Sequence, residues 1–229
     1  MQKIFIIHGW TYSLSAWDDC LALLREKGID PVMLRVPGLT APSSEVWTLD
    51  RYVAWLEESL KGETDIMLVG HSNGGRIAIA YAAKNPPALK KLMLIDAAGI
   101  VHNEKPLRMK RSAFGAIARA GKIFSGIPGI RRVYYRLIGA NDYGRAPENM
   151  RATMSNLIAI DLTDRLSKIS VPTFILWGKK DKATPVSDAH LMHEKIAGSR
   201  LAILPEAGHS PHKTHPRETD ENLVAFAKS

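Results

Sequence analysis

The sequence predicts an α/β protein with a mainly parallel sheet of about six strands flanked by helices. Short apolar runs alternate with amphipathic segments along the chain, which is typical of βα units. Hydrophobic residues make up 45% and charged residues 24% of the 229 residues, which suits a globular domain. The single cysteine, Cys20, excludes an internal disulfide and a cysteine-rich zinc site.

The first hundred residues hold four predicted strands and three predicted helices. The strands are short apolar runs that end near turn-forming or polar residues, and they cover residues 3–7, 31–36, 65–69 and 92–95. The helices carry apolar residues at helical spacing, and they cover residues 15–27, 49–60 and 76–84. Thr48 is a suitable N-cap for the second of these helices.

The alternation stops near Gly99. Two segments of helical character, 108–124 and 130–137, follow without a clear strand. The pattern resumes with strands at 173–177 and 201–204 and a final helix at 216–228. We therefore expect a core formed by residues 1–99 and 164–229 and a helical cap formed by residues 100–163.

The main chemical signal is Gly-His-Ser-Asn-Gly at residues 70–74. Gly-x-Ser-x-Gly alone occurs by chance in roughly one in thirteen chains of this length, so the motif indicates a nucleophile only if its structural context fits. Here it follows a predicted buried strand and opens a helix, where a sharp turn lifts the serine hydroxyl above the sheet. We predict that Ser72 is a nucleophile, which requires a histidine base oriented by a carboxylate.

Asp181 and His209 are the predicted acid and base, because each follows a predicted strand downstream of the serine. The carboxyl ends of parallel strands meet at one edge of a sheet, where ligands bind. Asp96 also ends a strand and is the alternative acid. His212 and His215 are rivals for the base, and we expect both to be solvated loop residues.

A serine nucleophile also needs two N–H groups to bind the oxyanion. The backbone N–H of Asn73, directly after the serine, is one candidate, and that of Trp10, in the loop after the first strand, is the other. We expect His8 to shape this loop and His71 to pack or hydrogen-bond, so neither is expected to act as the base.

These motifs resemble the α/β-hydrolase superfamily in type and order: His-Gly at 8–9, the serine motif, Trp-Gly-x-x-Asp at 177–181 and Ala-Gly-His at 207–209. The resemblance spans almost the whole chain. It implies that no metal or organic cofactor is used and that a helical cap follows the sixth core strand of the family. Relatives usually have an antiparallel strand pair before the His-Gly strand, which here starts at residue 3, so we expect a trimmed sheet.

The net charge of +8 is concentrated in residues 104–151, which hold eleven basic and three acidic residues. Such a segment would attract a small anionic substrate or an acidic carrier protein, although an ordinary solvated helix face also explains many of these charges. An anionic membrane surface is a further alternative for residues 108–124. Since no nucleic-acid-binding module is recognisable, we expect no nucleic-acid partner.

The N-terminal apolar run is too short for a signal peptide, and no stretch approaches the ~18 apolar residues that cross a bilayer. We therefore expect a cytoplasmic protein without a transmembrane segment. The sequence does not specify the oligomeric state.

The predicted reaction is hydrolysis of a carboxylic ester through an acyl-enzyme. The candidate substrate-binding residues are apolar side chains of the core loops and the insertion: Leu39, Ile100, Met109, Phe114 and Leu157. Three alternatives share the same triad. They are carbon–carbon bond hydrolysis of anionic ring-cleavage products, methyl ester hydrolysis on a carrier-bound acyl group, and a small-ligand receptor without turnover. The serine at position 72 disfavours halide displacement, because dehalogenases of this fold carry aspartate there.

Overall fold

The computed structural model describes residues 3–101 and 146–229. Its centre is a six-stranded sheet in which all neighbouring strands are parallel, in the order β2-β1-β3-β4-β5-β6. The strands are β1 (Lys3–Ile7), β2 (Val32–Leu34), β3 (Ile66–His71), β4 (Leu89–Ile95), β5 (Thr173–Gly178) and β6 (Arg200–Leu204). The predicted six-stranded parallel sheet is therefore confirmed.

Helices connect the strands and cover both faces of the sheet. After a 3₁₀ turn at Ser15–Trp17, they are α1 (Asp18–Glu26), α2 (Leu49–Ser59), α3 (Asn73–Ala82), α4 (Glu148–Ile158), α5 (Thr163–Leu166), α6 (Val186–Lys195), α7 (Pro211–Thr214) and α8 (Pro216–Lys228). Within the described ranges, none of them is long and apolar enough to cross a membrane.

Two hydrophobic clusters, one on each face, hold the three layers together. Because strand side chains alternate between faces, Ile4 and Ile6 of β1 join one cluster while Phe5 and Ile7 join the other. Helices α1 and α8 pack on the first cluster, and α2, α3 and α6 pack on the second. Both faces of β1 and β3 are covered, which explains why these strands read as continuous apolar runs.

Several predicted bounds change in the structure. Strand β2 ends at Leu34 and not at residue 36, because the Val36 carbonyl accepts three N–H groups of the following turn, from Leu39, Thr40 and Ala41. Helix α3 begins directly after Ser72, three residues before the predicted start. Helix α6 was not predicted at all.

The two described ends of the predicted cap lie together. The Leu162 N–H donates to the Gly99 carbonyl at 2.8 Å, so the chain leaves and re-enters the core at one place. Helix α4 rests on the loop after β2, where Thr153 Oγ1 accepts the Trp47 backbone N–H at 2.8 Å. The predicted helical segments 108–124 and 130–137 lie outside the described residues, and the boundaries 100–163 remain a prediction.

Candidate active site

Ser72 occupies a sharp turn between β3 and α3. Its backbone has φ +51° and ψ −117°, a conformation that is unfavourable for any residue with a Cβ. Three backbone hydrogen bonds hold it: the Ser72 N–H donates to the Ile95 carbonyl at 3.1 Å, and the Ser72 carbonyl accepts the N–H groups of Ala98 at 2.9 Å and Arg76 at 3.2 Å. The strained serine is thus fixed by the end of β4 and the residues that follow it.

The glycines on either side of Ser72 are required by close packing. A Cβ at Gly74 would lie 2.1 Å from the Ile7 carbonyl oxygen, and one at Gly70 would lie 2.8 Å from the Ala78 Cβ. No side chain fits at Gly74, because the atom that it would meet is a backbone oxygen, which cannot move aside without a shift of β1. The start of α3 therefore sits directly against the end of β1.

The structure brings the three predicted triad residues into one hydrogen-bonded chain. His209 Nε2 lies 2.8 Å from Ser72 Oγ, and His209 Nδ1 lies 2.7 Å from Asp181 Oδ2. The Asp181 side chain has no exposed surface, whereas the His209 side chain is 30% exposed. The acid is therefore enclosed while solvent reaches the base.

Asp181 is held by more donors than the sequence motif indicated. Its Oδ1 accepts the N–H groups of Ala183 and Thr184, and its Oδ2 accepts the Thr184 hydroxyl at 2.7 Å. Burial works to raise the pKa of Asp181, but the contacts with His209, Thr184 and Ala183 together lower it below its ordinary value. Asp181 is thus a carboxylate at neutral pH. Sequence reasoning missed Thr184, although its place three residues after an aspartate at a turn is a recognisable local signal.

The loops that carry Asp181 and His209 are pinned to each other. The Lys180 N–H donates to the Ala207 carbonyl at 2.9 Å, and a Cβ at Gly178 would lie 2.3 Å from the Gly208 carbonyl oxygen. The buried Trp177 indole donates to the Thr184 carbonyl at 3.0 Å and supports the acid loop from inside. These contacts give the Trp-Gly-x-x-Asp pattern a structural reason.

The loop after β1 lies beside Ser72. A Cβ at Gly9 would lie 3.0 Å from the Ser72 Cβ, so Trp10 follows directly at the site. Among the described residues, the backbone N–H groups of Trp10 and Asn73 donate to no other protein group. Two free donors next to Ser72 are what an oxyanion site requires.

His8 fixes the shape of this loop. Its Nδ1–H donates to the Gly9 carbonyl at 2.7 Å, and its Nε2 accepts the Thr40 hydroxyl at 2.7 Å. The Thr40 oxygen also accepts the Val36 N–H at 3.0 Å. Burial lowers the pKa of His8, so the ring stays uncharged. Thr40 also belongs to an open pocket lined by residues 38–44, which include Leu39.

The two other histidines near the base are buried. His71 Nε2–H donates to the His209 carbonyl at 2.8 Å and holds the backbone of the base. The expectation that His212 is solvated was wrong: it is 2% exposed and stacks on Trp17 with ring centroids 3.9 Å apart. Burial lowers the pKa of His212 to about 3, with the nearby His209 and Lys213 adding to the shift.

The alternative acid, Asp96, makes a different contact. It is fully buried, and its Oδ1 accepts the Gly178 N–H at 2.8 Å. His209 Nδ1 hydrogen-bonds to Asp181 and not to this residue. The geometry therefore favours Asp181 as the partner of the base.

The candidate substrate-binding residues in the described ranges differ in how deeply they are buried. Leu157 has no exposed surface and Leu39 is 8% exposed, and both belong to the core cluster under α2 and α3. Ile100 is half-buried against the same cluster. Met109 and Phe114 lie outside the described residues. Packing in the core is what is observed for Leu157, and contact with a substrate remains a prediction for all five.

Comparison with known proteins identifies the family of this chain. The model of the alpha/beta hydrolase family matches residues 4–221. The chain belongs to this family. It is 28% identical to monoacylglycerol lipase ABHD6 from Bos taurus, over 99% of the chain and 75% of the relative. It is 26% identical to the pimeloyl-[acyl-carrier protein] methyl ester esterase of Neisseria meningitidis, over 94% of the chain and 73% of the relative.

A solved structure shares the fold along the full length. The esterase EaEST from Exiguobacterium antarcticum aligns with a TM-score of 0.74 and 25% identity, covering 100% of this chain and 92% of that one. The family, its fold and its esterase and lipase relatives support a hydrolase that acts on esters.

Proposed function

We propose that the protein is a serine hydrolase that cleaves carboxylic esters through an acyl-enzyme on Ser72. The observation that carries this proposal is that His209 contacts both other residues: its Nε2 lies 2.8 Å from Ser72 Oγ, and its Nδ1 lies 2.7 Å from Asp181 Oδ2. The hydroxyl lies within direct reach of a base, and the base is held by an enclosed carboxylate, which is the arrangement that activates serine.

The reaction proceeds in two halves. His209 Nε2 takes the proton of Ser72 Oγ as that oxygen attacks the ester carbonyl, and Asp181 stabilises the imidazolium. The N–H groups of Trp10 and Asn73 bind the oxyanion, at the start of α3 where the helix dipole favours negative charge. The alcohol leaves with the proton from His209. A water molecule deprotonated by the same ring then releases the acid.

The test is a panel of p-nitrophenyl esters of increasing acyl length, measured with the wild type and with Ser72→Ala. We expect sustained turnover in the wild type and a loss of kcat on the order of 10⁵- to 10⁶-fold in the variant, because the nucleophile is removed. Ser59→Ala, an exposed serine on α2, is the control and should keep full activity. Full activity in Ser72→Ala would refute the proposal, and one equivalent of product without turnover would favour a receptor.

A methyl ester on a carrier-bound acyl group is the second candidate substrate. One relative is named for that reaction, and the excess positive charge of residues 104–151 suits an acidic carrier protein. We propose that these residues belong to a cap, spanning 100–163, that selects substrates beside the triad.

A further inference from the structure

A second carboxyl group lies behind the triad. Asp96 follows β4, has no exposed surface, and accepts the Gly178 N–H with its Oδ1 at 2.8 Å. Its Oδ2 is shielded from solvent and has no hydrogen-bond donor within reach in the described part of the chain. An ionised carboxylate in that position would leave a charged oxygen buried without a partner, which is costly.

The side chain that Asp96 meets is itself an acid. The Thr184 hydroxyl lies 2.7 Å from Asp181 Oδ2 and 3.2 Å from the Asp96 carbonyl oxygen, and Gly178, three residues before Asp181, donates to Asp96. The two carboxyl groups are therefore neighbours, and a hydrogen bond between them agrees with the raised pKa of Asp96. Ionised carboxylates only accept hydrogen bonds, so a bond between the two requires one proton. Asp181 already accepts four donors, from His209, Ala183 and both the N–H and the hydroxyl of Thr184. Those donors stabilise its ionised form, which leaves the proton on Asp96.

We propose that Asp96 is a positioning residue that, as a neutral carboxylic acid, donates a hydrogen bond to Asp181 and holds it against His209. The inference rests on the triad function proposed above. It gives the side chain that ends β4 a role distinct from that of the triad acid, because Asp96 acts through Asp181 and touches no reacting atom.

The surroundings of Asp96 favour the neutral form. Burial raises its pKa to about 8; the Gly178 N–H opposes the shift and the neighbouring Asp181 adds to it. Asp181, on the loop after β5, is the charged group that faces Asp96. His209, on the loop after β6, lies on the far side of Asp181. On the paired strand β3, His71 is kept neutral by burial, which lowers its pKa. Above pH 8 two carboxylates would therefore stand side by side.

The chain offers a close mimic of the neutral acid. Asp96→Asn keeps an acceptor for the Gly178 N–H and an N–H donor for Asp181, but it cannot ionise. The backbone φ of +42° at this position is one that asparagine tolerates better than most residues. Asp96→Ala removes both contacts. Asp220→Asn is the matched control, since Asp220 is also a buried acid with one unpartnered oxygen but lies on α8, paired with Lys27.

The first measurement is kcat/KM for p-nitrophenyl acetate between pH 5 and 10, corrected with Ser72→Ala. We expect the wild type and Asp220→Asn to lose activity above about pH 8, because ionised Asp96 repels Asp181. Asp96→Asn should stay within about fivefold of wild type at pH 6.5, consistent with one conserved hydrogen bond, and should lack this alkaline decline. Asp96→Ala should lose on the order of 10- to 100-fold at every pH. An unchanged decline in Asp96→Asn, or folded Asp96→Asn as impaired as Asp96→Ala, would overturn the proposal.

The second measurement is thermal unfolding, which does not depend on catalysis. The native state retains a proton that the unfolded chain releases near pH 4, so this contribution to stability is lost as pH rises from about 4 to about 8. The melting temperature of Asp96→Asn relative to wild type should therefore rise across that range. A constant difference would refute the protonated state. Failure of the ester proposal would instead show as activity surviving in Ser72→Ala, whatever the melting curves do.

Discussion

The candidate site contains strained backbone. Four non-glycine residues in the described ranges have positive φ, and two of them, Ser72 and Asp96, flank the same cluster of loops. Such conformations persist only where the surroundings over-determine them, as the hydrogen bonds to Ser72 do. These contacts hold the Ser72 hydroxyl in a fixed position.

Replacement of Gly74 by alanine tests that rigidity. Alanine in a helix normally stabilises, but here its Cβ would meet the Ile7 carbonyl oxygen at 2.1 Å and push α3 away from β1. We expect the free energy of unfolding to fall by about 1 to 3 kcal/mol, and kcat/KM to fall on the order of 100-fold because Ser72 and Asn73 shift.

The control for this change is Gly62→Ala. Gly62 has φ +81° and open space around its Cβ position, so only backbone strain of about 1 kcal/mol is expected. Its kcat/KM should be that of wild type. Wild-type melting and activity in Gly74→Ala, measured by calorimetry and ester turnover, would contradict the requirement for glycine.

Single residues were predictable where the signal is local. The serine motif, Asp181 and His209 each follow a strand within a few residues, so the sequence alone indicated them. His212 was misjudged because its burial comes from Trp17, on an element remote in sequence. No local pattern marks the proximity of Asp96 and Asp181, which only the pairing of β4 with β5 creates.

At the scale of elements, apolar periodicity found all six strands and the final helix. Helix α6 escaped because its buried face includes Asp188 beside Ala189 and Met192, which blurs the apolar stripe. Strand ends shifted by up to three residues, since the turns that end them depend on hydrogen bonds such as those to the Val36 carbonyl. Capping was readable, because the Thr48 side chain does accept the Arg51 N–H at 3.3 Å.

The cap of α2 gives an element-scale prediction. Thr48→Ala leaves the Arg51 N–H without its acceptor, so we expect a loss of about 1 kcal/mol in the free energy of unfolding. Thr48→Asn supplies an equivalent oxygen and should keep wild-type stability. Urea titration compares the three proteins, and kcat should be the same in all of them. Equal losses in both variants would exclude capping as the cause.

For the whole molecule, the distribution of charge is the distinguishing property. Residues 104–151 hold eleven basic and three acidic side chains, so the rest of the chain is balanced. A local field of one sign raises the concentration of oppositely charged ligands nearby. The excess of positive charge could be counted from the sequence. The position of these charges relative to Ser72 could not be predicted, because sequence patterns do not give the three-dimensional arrangement of the segment.

Replacing Arg131 and Arg132 together by alanine tests the charge. We expect the preference for an anionic over a neutral ester of equal acyl length to fall by about threefold to tenfold at low salt, and the effect to vanish near ~1 M salt, where charges are screened within ~3 Å. Lys90 and Lys168, on the described core, provide a double-alanine control. An unchanged preference at low salt would assign the two arginines to an ordinary solvated surface.

The order of strands in the sheet has a consequence for synthesis of the chain. Trp10 follows the first strand, Ser72 follows the third, and His209 follows the sixth, while β1 pairs with both β2 and β3. A growing chain can form the β1–β4 part of the sheet, which supplies the hydrogen bonds that hold Ser72, before residue 209 has been made. On the triad proposed above, such partial products lack the base, so we expect ester hydrolysis only once β6 and the loop after it have been made.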